Sequence, residues 1–137
     1  MKKHLLLLAL PLALAACKKE ARSITYQLHP HAGYPTYGTT TFTESGGKGS
    51  NTDVTVQLYN LTPGTEYMAH IHKGDTSTYG SAPINLNFGS FTPTGSTYSL
   101  SKKWDLMYDD ALKYNGCVAV HNSVVGVALG NIGSNAD

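Results

Sequence analysis

The most persistent pattern in the chain is alternation of apolar and polar residues. Across residues 53–61, Val54, Val56 and Leu58 interleave with Thr55, Gln57 and Tyr59, the period of two expected of a strand with one buried face. A Pro63-Gly64 turn then launches the stretch LTPGTEYMAHIHKGD, residues 61–75. On a strand, Tyr67, Ala69 and Ile71 of this stretch face a core, and Met68, His70 and His72 face the other way together. The same period recurs in GCVAVHN, residues 116–122, where Val118 and Val120 share the core face and Cys117, Ala119 and His121 the opposite one. Residues 124–132 read as a last apolar strand, and weaker strand signals lie at 23–28, 36–43, 84–88 and 97–100. The glycine-rich SGGKGSN of residues 45–51 reads as a hairpin loop, residues 74–83 as a longer loop, and residues 105–114 hold room for one helical turn. About eight short antiparallel strands and hardly any helix predict an all-β, Greek-key β-sandwich or barrel without internal repeats.

The start of the chain follows a different rule. A basic opening is followed by the apolar residues 5–16, broken by Pro11 alone and closed by Leu14-Ala15-Ala16-Cys17. About 12 apolar residues are too few for the roughly 20 of a membrane span, so residues 1–16 read as a cleaved signal peptide. The LAAC ending resembles a bacterial lipoprotein signal. That resemblance implies acylation of Cys17, residues 17–22 as a lipidated tether, and a domain at 23–137 exported and anchored to a bacterial cell membrane, on its periplasmic or cell-surface face. An ordinary secretory signal, leaving Cys17 free, gives the same export. Lys18 after the cysteine is not the aspartate of an inner-membrane retention signal.

Removing residues 1–16 leaves 121 of the 137, enough for one domain with its own core. Ten basic residues fall to eight with the loss of Lys2 and Lys3, against nine acidic ones, so the formal charge moves from +1 to about −1. Nothing in that balance suits nucleic acid. Cys117 has no partner once Cys17 carries lipid, which predicts a buried, inert thiol and a fold that depends on its core or on a metal.

Candidate chemistry concentrates on histidine. His70 and His72, at i and i+2, lie about 6.6 Å apart along one strand face, close enough to converge on one ion. His121 sits at the end of its own strand and becomes a third candidate wherever the two strands meet. Neutral imidazoles suit copper, and the thioether of Met68, on the same face, is a possible auxiliary donor that favours copper(I); Met68 also reads as a gap-filler beneath a loop. His29 and His31 form a second co-facial pair, weakened as a strand by Pro30, and surface positions are the plainer reading. Cys117 lies about 13 Å along its strand from His121, too far to share an ion with it.

The order LTPGTEYMAHIHKGD, SAPINL, CVAVHN and VALGNIG resembles the copper/zinc superoxide dismutase family over most of residues 23–133. The resemblance implies a dismutase-like Greek-key barrel, copper held by His70, His72 and His121, and superoxide as substrate. It also marks departures. Ile84 stands where the family has its bridging histidine, and no histidine lies between His72 and His121. The zinc ligands are therefore missing and zinc is not expected, with Asp75 and Asp105 the first carboxylates to test otherwise. The segment after His121 is cut to Asn122 and Ser123, without the family's guiding arginine or its disulfide. The stretch AHIHKGD followed by YGSAPINL also resembles the CHRD domain, a related β-module without established catalysis. Three functions follow: a lipoprotein with weak superoxide dismutase activity, a non-catalytic copper-binding or copper-carrying lipoprotein, and a metal-free binding module. No catalytic residue is assigned beyond the metal ligands.

Overall fold

The computed structural model describes residues 20–136, so the expected signal peptide (1–16), Cys17 and most of the expected tether (17–22) lie outside the described residues. The domain is all-β, with eight antiparallel strands in one nearly closed, barrel-like sheet. They are β1 (Ser23–Pro30), β2 (Tyr37–Glu44), β3 (Asn51–Tyr59), β4 (Tyr67–Lys73), β5 (Ile84–Phe91), β6 (Tyr98–Met107), β7 (Asn115–His121) and β8 (Gly126–Gly133), with one helical turn, α1 (Tyr108–Ala111), between β6 and β7. Among the described residues, no helix is long and apolar enough to cross a membrane.

The spatial order is β5-β4-β7-β8-β1-β2-β3-β6. The sheet folds into two layers, β1-β2-β3-β6 and β5-β4-β7-β8, and β1 joins them. Its residues 23–28 pair with β2, then His29 and Pro30 pair with Leu129 and Ala128 of β8. Strands β4, β5 and β6 follow one another, and β7 returns to lie beside β4, which is the Greek-key arrangement. The two edges, β5 and β6, meet without a hydrogen-bonded ladder. Side chains close that seam: Phe91 stacks on Tyr98 with ring centroids 4.6 Å apart, and Lys102 Nζ donates to the Asn87 carbonyl at 2.7 Å.

Alternation predicted the core well. Val54, Val56 and Leu58 of β3, Ile71 of β4, and Val118 and Val120 of β7 are fully buried. They close around Phe42, whose ring meets Tyr26 and Trp104 edge-on at 5.1 and 5.8 Å. Burial of each such side chain contributes about 1.5–3 kcal/mol. The short strand expected at 97–100 instead runs to Met107, because Ser101, Lys102 and Lys103 stay in the ladder with β3 while facing solvent at a sheet edge. Two bulges mark β5: the pairs Ala69–Gly89 and His70–Asn87 skip Phe88, and Ile71–Leu86 and His72–Ile84 skip Asn85.

Much of the outward face of β4 and β7 is buried as well, with Met68 and His121 half-buried. Ala119 and Cys117 are fully enclosed, and His70 and His72 are each only 6% exposed. Residues 74–83, between β4 and β5, fold back to cover it. The Asp75 carboxylate accepts from the Ser77 backbone N–H at 2.8 Å and from its hydroxyl at 2.5 Å, which holds the first turn of this loop. Farther out, the Thr76 N–H donates to Asn131 Oδ1 of β8 at 3.1 Å, pinning the loop to the sheet.

Candidate metal centre

The β4–β7 ladder sets the site. Its register pairs Met68 with His121, His70 with Ala119 and His72 with Cys117, so His121 sits at the same end of the sheet as Met68, diagonal to His70. The three histidines converge: ring centroids are 4.8 Å apart for His70 and His121, and 5.6 Å for His70 and His72. They line one wall of a cleft of about 430 Å³ with Met68, Tyr79 and Ile84.

Hydrogen bonding fixes which ring nitrogens are free. A backbone carbonyl can only accept, so His72 Nδ1 donates to Ala82 O at 3.1 Å and His121 Nδ1 donates to Asn122 O at 3.2 Å. Both Nε2 atoms are left as acceptors. His121 Nε2 takes a hydrogen bond from His70 Nδ1 at 2.9 Å. His72 Nε2 takes none: it is a buried polar atom without a partner. A bare imidazole nitrogen inside the protein costs desolvation energy unless something occupies it. His70 stays neutral far into acid, its pKa lowered to about 4 by burial first and then by the nearby His121 and His72, against an Asn87 side-chain hydrogen bond that pulls the other way.

These residues suit a metal in their chemistry. Three neutral imidazoles are copper-type donors, and an ion about 2.0 Å from each of two nitrogens spans separations up to about 4 Å, which covers the 2.9 Å between His70 and His121. As the side chains stand, His70 and His121 spend their facing nitrogens on each other, and no group of three His, Cys, Asp or Glu among the described residues forms a ready metal-holding set. Loading requires the His70 proton to leave Nδ1 and the three rings to reorient around the ion. The second, backbone-directed hydrogen bonds of His72 and His121 hold those two rings in the ligating tautomer.

The other candidates fall elsewhere. His29 is exposed and His31 half-buried, and both line a separate, larger cleft of about 550 Å³ beside β1 and β8 that contains none of the three converging histidines. Cys117 is free and fully buried, its thiol pushed up to about 11 by burial and then by the charge of Asp75. Asp75 caps its own loop, and Asp105 accepts from Asn51 Nδ2 at 3.0 Å; neither lines the cleft. Tyr79 had no signal in the sequence. Its ring stands edge-on to His72 and to His31, 6.1 Å from each, and a Cβ on Gly126 would come within 2.5 Å of its hydroxyl. A tyrosine in a polar loop looks like any exposed aromatic until the loop is seen to fold over the sheet. Compared with protein-family models, curated proteins and solved structures, the chain matches none.

Proposed function

We propose that this protein is an exported, Cys17-anchored lipoprotein whose barrel binds copper through His70, His72 and His121. The observation that carries the reading is His72 Nε2, buried and without a partner beside a hydrogen-bonded imidazole pair. Copper supplies a one-electron redox centre that prefers nitrogen donors. The chain supplies the rest. Ala82 O and Asn122 O orient two rings, and burial keeps the third one neutral.

Holding copper fits the cleft better than turning superoxide over rapidly. Its lining contains no lysine or arginine to draw in an anion. Ile84, which lines it and is 50% exposed, cannot exchange a proton where the dismutase resemblance implies an imidazole. Dismutation is therefore expected to be weak if present.

The test is copper(II) titration of the mature protein, followed by electron paramagnetic resonance. A single site with nitrogen hyperfine splitting, weakened at least tenfold by His72→Gln and by His121→Gln, is expected. Stoichiometric binding that neither histidine substitution alters would overturn the reading, and no binding of copper in either oxidation state would favour the metal-free, CHRD-like module.

A further inference from the structure

We propose that the cleft takes its copper as copper(I), with the Met68 thioether as fourth donor. The inference rests on the three-histidine reading and adds the oxidation state of the ion that is bound.

Three observations lead to it. First, the β4–β7 register places Met68 directly opposite His121, and alternation along β4 places it on the same face as His70 and His72. Directly paired residues have Cβ atoms about 4.5–5.5 Å apart, within the reach of a methionine side chain. Second, Met68 lines the cleft and is only half-buried, whereas His70 and His72 beside it on that face are buried. A methionine filling a gap in the core would be enclosed; this one stands at the mouth of the imidazole cluster. Third, the cleft lining contains no aspartate or glutamate, and two of the three imidazoles, His70 and His72, are buried. Three neutral imidazoles and a thioether leave the ion's charge uncompensated. The cost of placing charge in a poorly solvating site rises steeply with its magnitude, so a monocation is tolerated far better than a dication. Soft sulfur selects the same oxidation state.

The experiment measures two affinities in the mature protein, copper(I) by anaerobic competition with bicinchoninate and copper(II) by competition with glycine. Met68→Leu keeps the side-chain volume and an apolar character. It is expected to weaken copper(I) binding at least tenfold and to change copper(II) binding by less than threefold. X-ray absorption of the copper(I) form should show a sulfur scatterer that Met68→Leu removes, Cys117 being present in both proteins. Selenomethionine labelling gives a second readout independent of the variant's folding, a copper–selenium shell at the absorption edge. Equal losses for both oxidation states, unchanged copper(I) affinity, or no sulfur or selenium shell would each overturn the inference. His72→Gln separates the two levels: if it weakens both affinities while Met68→Leu weakens neither, the copper(I) inference alone falls; if it weakens neither, the three-histidine site falls too.

Discussion

The two layers of the barrel are built from strands with the same inward faces and opposite outward ones. On β1-β2-β3-β6 the outward side chains are polar, charged or tyrosine residues at the water surface, with hydroxyls tied across strands by pairs such as Thr25 with Thr41 and Thr55 with Ser101, both at 2.9 Å. On β4 and β7 the outward side chains include Met68, His70, His72, Cys117, Ala119 and His121; His70, His72, Cys117 and Ala119 are buried, and Met68 and His121 are half-buried. What differs is the connection. Strands β2 and β3 are joined by the short hairpin 45–50, whereas residues 74–83 turn back over the sheet, bonded to Asn115 of β7, His72 of β4 and Asn131 of β8. A strand's second face becomes a chemical site when a loop removes it from water. Covered imidazoles then cannot discharge their polarity into solvent and must use it on one another, on carbonyls or on a ligand.

The largest effect is expected where the layers share a wall. Phe42→Ala should cost about 3–5 kcal/mol in urea denaturation, with Trp104 fluorescence and the ring resonances of His70 and His72 changing together. Separate transitions would show that the layers are independent units. A smaller difference distinguishes the outward faces. Ala119→Leu, which overpacks a covered position, should cost about 1–3 kcal/mol, and Thr41→Leu on the open layer about 0.5 kcal/mol or less. Equal costs would mean that the loop does not seal β4 and β7.

Acid should act selectively on the covered layer. The metal-free folded protein holds His70 at about 4 while the unfolded chain titrates it near the ordinary 6.5, so unfolding takes up a proton between those values. The stability that neutral His70 permits is complete above pH 6.5 and is lost as pH falls toward 4. His70→Gln should flatten the pH dependence of the urea midpoint in that window; an unchanged slope would show that His70 is not held neutral. The smallest effect is chemical. The Cys117 thiol, pushed up to about 11 and enclosed, should resist Ellman's reagent at pH 8 in the native protein and react at once in denaturant. Rapid native modification would mean that the cover over β7 opens.

Much of this was written in local periodicity. A strand alternates its side chains whatever it pairs with, so the sequence by itself determined the core faces of β3, β4 and β7, the co-facial placement of Met68, His70 and His72, and the all-β class. It left β6 short, because Lys102 and Lys103 look like loop until a neighbouring strand pairs with their backbone. Three matters were decided by tertiary structure alone. One is that His121, some fifty residues from His70, lands 2.9 Å from it, because cross-strand register is a long-range choice that no local pattern encodes. Another is that residues 74–83 bury the histidine face and place Tyr79 against His72. The last is that His72 turns its Nδ1 to Ala82, leaving Nε2 bare. Residue type supplies a ligand's chemistry, but its free nitrogen depends on where the other one finds a partner, and that partner lies in a loop whose path the alternation of a strand does not fix.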